Sequence, residues 1–296
     1  MVILPADLIA ESNGSLSPAL EAILDRVPGL PPATQILPKL LTALCDADTS
    51  IDQIAELIAF DPGLTLKLIQ LCNSAALGGT RRVSHVAEAI NRLGVNCVFQ
   101  LVAGLTGNSV WKSEAVTAVL DVDRLWEHSV TVALAAGILA KDKDEDESAA
   151  FISGLLHESG KIVMAQASRE NYEQLLARHA DAPDELVSEE REAYGFDHAQ
   201  AGGRLLSRDA FPDVIVASIT YQYRPTEAHG HVRAAALLTL ANTLAGWTRG
   251  AATATAGVEP AHTEALRILD LAPQILPFYR ERIEEEFKFA NALCHL

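Results

Sequence analysis

The chain has 296 residues, 49% of them hydrophobic and 5% aromatic, with a formal net charge of −16 and a pI near 4.9. A single hydrophobic core stops growing at about 250–300 residues, so two lobes are expected rather than one. So acidic a chain has no long-range attraction for nucleic-acid phosphate or an anionic leaflet, and its one basic pair, Arg81–Arg82, is expected to cap a loop. Neither nucleic acid nor a membrane is an expected partner.

Cys45, Cys72, Cys97 and Cys294 are widely spaced and form no CxxC, which predicts reduced core residues of a cytoplasmic protein rather than a zinc site. The N-terminal MVILPADLIAES lacks a basic region, and the longest apolar run, VTVALAAGILA, is too short to span a bilayer.

Apolar residues recur at helical spacing along nearly the whole chain and no period-two stretch emerges, so the fold is predicted to be all-α. After a leader containing SPALEAIL, LPPATQILPKLLTALCDAD reads as a helix opened by prolines and kinked or restarted at Pro38. TSIDQIAELIAF begins with Ser50 and Gln53 at capping-box spacing. DPGLTLKLIQLCNSA offers Asp61 as N-cap and Pro62 as first helical residue. SHVAEAINRLG ends at Gly94, and NCVFQLVAGLTG at Gly104 or Gly107. These helices form a first lobe, residues 1–112, closed by a polar break around Asn108–Ser113.

In the second lobe, residues 113–250, DVDRLWEHSVTVALAAGILA forms a long helix. The charge run KDKDEDES, Lys141–Ser148, is expected to be a solvated loop without function, and Ala149–Ala167 one continuous helix. ENYEQLLARH, PDELVSEEREAYG, DHAQAGGRLLSR, PDVIVASITYQY and VRAAALLTLANTLAGW follow, with Asp197 and Gln200 forming another capping box. The tract RGAATATAGVEP reads as a linker to two terminal helices, Pro260–Leu271 and Pro273–Leu293, within a segment 251–296 expected to pack on the second lobe.

The stretch FISGLLHESGKIV, Phe151–Val163, sets His157, Glu158 and Lys161 in an apolar, small-residue run. A neutral imidazole beside a carboxylate can bind a divalent ion, and the same pair can be an ordinary satisfied polar contact. His128 in WEHS and His198 in FDHAQ lie on other helices of the lobe, and a bundle can bring such residues together. In the first lobe, Asp61, Lys67 and Asn73 sit amid apolar turns as candidates for partner recognition; the alternative is that Asp61 caps a helix and Asn73 ends one.

The ordered blocks LPPATQILPKLL, TSIDQIAELIAFDPGLTLKLIQLCNSAAL, VSHVAEAINRLG, LWEHSVTVALAAGILA, AFISGLLHESGKIVM and AYGFDHAQAGGRLL, with RP after TYQY, resemble the HDOD domain over Leu30 to Trp247. That family is a helical relative of the HD-type metal-dependent phosphohydrolases. The resemblance implies an N-terminal helical lobe packed on an HD-like lobe, and a bacterial signalling or regulatory role, usually without demonstrated catalysis. It implies a partner that is a signalling protein or a small effector.

In the HD-type pattern, histidines and aspartates hold one or two metals that activate a water for attack on phosphorus. By resemblance, His128 matches the histidine of the first HD-lobe helix, His157 with Glu158 takes the place of the His-Asp pair, and Lys161 matches the lysine that follows it. His198 matches the later single histidine, with Glu190 as its upstream acid. The departures are Gln222 and Tyr223 where paired histidines are expected, and Asn242 where an aspartate is expected. Glu158 keeps the negative charge but adds a methylene, which displaces its carboxylate by more than about 1 Å in a site whose bonds tolerate about ±0.2 Å. Asn242 brings no charge, and Tyr223 is a poor ligand below a pH of about 10. The expectation is therefore a degenerate site with no cofactor, or a single residual divalent ion on His128, His157, Glu158 and His198. A metal-dependent phosphohydrolase or phosphodiesterase with an altered site is the alternative.

Overall fold

Local signals set most of the helix ends. The computed structural model describes residues 18–27, 39–40, 43, 48–59, 61–73, 82–107, 114–178, 183–248 and 260–294. The chain is all-α, with no strand among the described residues. Pro38, Arg81, the break at 108–113 and the tract RGAATATAGVEP up to Glu259 lie outside them.

The first helices are α1 (Pro18–Leu24), α2 (Ile51–Ala59), α3 (Pro62–Cys72), α4 (Val86–Leu93) and α5 (Val95–Gly107). Ser50 and Gln53 cap α2 reciprocally, the backbone N–H of each donating to the other's side chain at 2.7 and 3.2 Å. Asp61 Oδ1 accepts from the N–H of Leu64 at 3.0 Å and so caps α3. Gly94, at φ 85°, ends α4, and α5 runs through Gly104 to Gly107. Asn73 closes α3 and pins the connection to α4, donating to Val83 O at 2.8 Å and accepting from Val83 N at 2.7 Å. Burial pushes the Cys72 thiol up to about 11, in keeping with an inert core residue.

Next come α6 (Glu114–Thr117), α7 (Val122–Asp142), α8 (Glu147–Leu156), α9 (Ser159–Ala167), α10 (Arg169–Arg178), α11 (Pro183–Tyr194), α12 (His198–Arg208), α13 (Asp213–Thr220) and α14 (Val232–Thr248). The terminal helices are α15 (Pro260–Ile268) and α16 (Leu276–Cys294). Asp121 and Asp146 cap α7 and α8, and Asp197 with Gln200 forms the capping box of α12. At the centre, α7 and α8 pack side by side; a Cβ on Gly154 would lie 2.6 Å from Ala133 Cα, so glycine sets their separation. The helix α14 crosses α7, and α15 and α16 pack against α14. From the other end of the chain, α1 packs on α9 and α12, with Arg204 Nε donating to Glu21 Oε1 at 2.5 Å and Arg208 to Leu24 O at 2.8 Å.

Two expectations fail here. The helix anticipated over Ala149–Ala167 is two helices, broken at His157 and Glu158, where ψ moves from −25° to 4°. The cause is tertiary: α9 crosses α12 so closely that a Cβ on Gly160 would fall 1.7 Å from the carbonyl oxygen of His198, and one on Gly202 would fall 3.0 Å from Gly160 N. The charge run is not a free loop either. Asp142 pairs with Arg282 of α16, Glu145 with Arg233 of α14, and Gln100 of α5 donates to Glu147 at 3.2 Å. It ties the hairpin between α7 and α8 to its neighbours.

Gly160→Ala should destabilise the protein by about 1–3 kcal/mol, because backbone rather than a flexible side chain must move. Gly246→Ala, in α14 with nothing within 4 Å of the added Cβ, should be neutral or stabilise by up to about 1 kcal/mol. Chemical denaturation of the two variants measures the difference, and equal midpoints would contradict the crossing described.

Candidate functional site

Five helices and one turn deliver the polar groups predicted from sequence to one place. His128 comes from the middle of α7, His157 and Glu158 from the break between α8 and α9, and Lys161 from the first turn of α9. Glu190 lies on α11, His198 opens α12, Gln222 and Tyr223 form the turn after α13, and Asn242 lies on α14. His157 is 0% exposed, Glu158 3%, Glu190 0% and His198 1%, so each charge must be matched within the protein.

The break itself orients the first pair. With the helix interrupted, the His157 ring turns back so that Nδ1 donates to the carbonyl of Gly154 at 2.7 Å. That fixes the tautomer and leaves Nε2, 3.5 Å from Glu158 Oε1, without a hydrogen bond to the described residues. Glu158, at the start of α9, receives Lys161, whose Nζ donates to Oε1 at 2.9 Å and lies 2.7 Å from Oε2. His128 Nε2 donates to Asn242 Oδ1 at 3.0 Å, and the His128 and His157 rings meet edge to face at 5.2 Å. Gln222 Nε2 donates to His157 O at 3.1 Å, and Thr239 Oγ1 holds Gln222 in turn by donating to its carbonyl at 2.6 Å.

The second acid and histidine form a separate unit. Glu190 Oε2 accepts from His198 Nδ1 at 2.7 Å and from its backbone N–H at 2.8 Å, while Oε1 accepts from the hydroxyl of Tyr172 at 2.8 Å. His198 Nε2 is 2.9 Å from the Tyr223 hydroxyl and 3.9 Å from Glu158 Oε2. Nothing in ENYEQLL marks Tyr172 as part of a site; it reads as an apolar helix position, and only the fold brings it to Glu190.

Burial alone would raise the Glu158 carboxyl, but Lys161 first and then His157 and His198 outweigh it and hold it well below the ordinary range. For His198, burial depresses the imidazole, and Glu190 more than reverses this, holding it above 6.5. Glu190 is lowered by His198 against its own burial, and Tyr172 is driven up by burial and by Glu190.

These residues do not fit a two-metal centre. The ligand atoms of His128, His157 and Glu158 lie within 4.8 Å of one another, the one such grouping among the described residues. Yet His128 Nε2 is spent on Asn242, His198 Nε2 on Tyr223, and the Glu158 charge on Lys161. His198 therefore stands apart from the trio that sequence matching puts it with. The three candidates for partner recognition divide as well. Asp61 and Asn73 have internal duties, whereas Lys67 is exposed beside Leu66, which is 57% exposed.

Glu158→Ala leaves the Lys161 ammonium without its carboxylate and should cost about 3 kcal/mol, seen as a lowered melting temperature. Because Glu158 titrates below its ordinary 4.5 when folded, its stabilisation is present above that value and is lost as pH falls through the folded value. His198, raised above 6.5, contributes fully below 6.5 and progressively less as pH rises through its folded value. Unfolding free energy measured across pH should therefore decline on both sides of a plateau between 4.5 and 6.5, and Glu190→Gln should remove the upper decline. An upper limb unchanged in that variant would contradict the assignment.

A sequence profile of the HDOD domain matches residues 30–225. An uncharacterized protein of Treponema pallidum (strain Nichols) is 26% identical over 208 residues, 68% of this chain, and the chain spans 39% of that relative's length. An HDOD domain protein of unknown function from Geobacter sulfurreducens has a similar fold, with a TM-score of 0.71 and 20% identity over 92% of this chain and 95% of that one. So does a protein provisionally assigned as a phosphohydrolase from Shewanella amazonensis SB2B, with a TM-score of 0.69 and 23% identity over 93% and 98%. A provisionally assigned signal transduction protein from Marinobacter aquaeolei VT8 gives 0.72 and 21% over 93% of this chain and 64% of that one. At these identities the structural likeness speaks for the fold, and the profile match, which covers well over half of the sequence, shows that the chain belongs to the HDOD domain family.

Proposed function

We propose that this chain is a bacterial signalling or regulatory HDOD protein that acts by binding a protein partner or a small effector, and that its HD-type site does not hydrolyse phosphoesters. The observation that carries this reading is the Lys161 ammonium, within 2.9 Å of both oxygens of Glu158. With the aspartate position held by Asn242, Glu158 is the carboxylate left to face an ion, and its charge is already matched. A cytoplasmic location and the division into residues 1–112, 113–250 and 251–296 belong to the same proposal. Reduced Cys72 in the core supports the former, and the packing of α15 and α16 on α14 supports the latter. On the first lobe, the exposed Lys67 is the recognition residue that has no capping or pinning role.

A second reading has one observation in its favour. His157 Nε2 is fully buried, has no hydrogen bond to the described residues, and lies with His128 and Glu158 as a ligand to one divalent ion would. The two readings separate on metal content of the purified protein, measured alongside hydrolysis of bis(p-nitrophenyl) phosphate with added manganese or zinc. Substoichiometric metal, with hydrolysis at background and unchanged by His157→Ala, supports the binding role. Metal-dependent turnover that His157→Ala abolishes while the fold stays intact overturns it.

A further inference from the structure

Among the described residues, α1 packs chiefly on α9 and α12, the two helices that cross at Gly160 and His198, and not on the helices that follow it in sequence. It has seven residues, and a helix shorter than about 12–15 residues is marginal alone in water, so α1 is helical because it is docked. Its anchors are Ala19, Leu20, Ile23 and Leu24, with Val27 just beyond the last turn, a spacing that puts one apolar face inward. Two arginines one turn apart on α12 complete the hold. Arg204 Nε donates to Glu21 Oε1 at 2.5 Å, and Arg208 Nη1 donates to the Leu24 carbonyl at 2.8 Å, at the C-terminal end of α1. The side chains of Glu21 and Arg204 remain 35% and 27% exposed, so this ion pair lies at the rim of the contact and the aliphatic anchors at its centre. In a chain of net charge −16, both cations stand where they meet an acid and a helix C-terminus.

We propose that α9 and α12 form a docking groove for an amphipathic helix of a partner protein, and that α1 fills this groove as an intrachain stand-in which the partner displaces. The groove selects for three features that α1 displays: aliphatic residues at i, i+3 and i+4 (Leu20, Ile23 and Leu24), a carboxylate beside Arg204, and a backbone carbonyl three residues further on, over Arg208. Whatever occupies it bears on the two helices whose crossing places Glu158, Lys161 and His198. The groove gives the binding role proposed above its class of partner and rests on that role; because it is read by peptide binding and not by metal content or hydrolysis, the two fail separately.

The probe is a fluorescein-labelled peptide of residues 18–27, PALEAILDRV. Ile23→Asp in the full chain puts a charge on the buried face of α1 and disables it, so the peptide should bind that variant at least about 10-fold more tightly than the unaltered chain, whose own α1 competes at high effective concentration. Adding Arg204→Glu to the variant sets two carboxylates face to face and should weaken the peptide by at least about 10-fold, and a peptide carrying Glu21→Arg should regain the loss. Equal binding to the variant and the unaltered chain overturns the proposal, as does binding indifferent to Arg204→Glu. A dimer of the unaltered chain, seen by light scattering, that Ile23→Asp separates would give the groove to a second copy and overturn the assignment to a partner. Should Ile23→Asp fail to fold, hydrogen exchange of the unaltered chain decides: the amides of α1 should exchange at least about 10-fold faster than those of α7 and α8, and equal protection overturns the proposal.

Discussion

The helices around the candidate site are organised by one close backbone crossing, that of Gly160 on α9 with the carbonyl of His198 at the start of α12. No side chain fits there, since even a Cβ would stand 1.7 Å from that oxygen. For α9 to reach this depth it cannot continue the axis of α8, and the helix breaks at His157 and Glu158. The break turns the His157 ring back onto Gly154 and aims Glu158 along α9 toward Lys161, with His198 on the far side of the crossing. One glycine contact therefore fixes the placement of three site residues, and Gly202, on the facing helix, keeps the approach open from the other side.

Charge balance in this interior is achieved pair by pair. Glu158 is matched by Lys161 and Glu190 by His198, and each pair is braced by further donors, as buried charges require. Desolvation offsets much of the attraction within such pairs, so removing one partner costs far more than the pair contributes net. In the binding role proposed for this chain, what separates the site from a hydrolytic centre is how the charges are shared. The carboxylates are engaged by protein cations, and two of the three imidazoles spend Nε2 on neighbouring side chains. His157 Nε2 is the exception: it lies 3.5 Å from Glu158 Oε1 and has no hydrogen bond to the described residues.

Much of the fold was legible in the sequence because helix ends obey local chemistry. Ser50 with Gln53, Asp61, Gly94 and Asp197 with Gln200 all act where their residue types predict, within four residues of their partners. The site residues were legible as a set through the HDOD blocks, which name positions without giving contacts. The helix break was not legible: no proline or capping residue marks it, and Glu158 at the head of α9 makes no capping bond. Its cause lies some forty residues away, at His198. The acidic run misled for the same reason, since Arg233 and Arg282 stand 88 and 140 residues beyond the acids they meet. The withdrawal of His198 toward Tyr223, and the whole role of Tyr172, depend likewise on contacts that no local pattern encodes.

The central claim, that the site is satisfied by its own side chains, is tested most directly by the ring-nitrogen NMR resonances of the histidines during zinc titration. His157 should carry a proton on Nδ1, His128 should donate from Nε2, and His198 should be paired with Glu190. The signals of His128 and His198 should stay unmoved as zinc is added up to equimolar concentration. Joint shifts of His128, His157 and His198 that saturate only at two equivalents of zinc would show a competent two-metal centre and contradict the account.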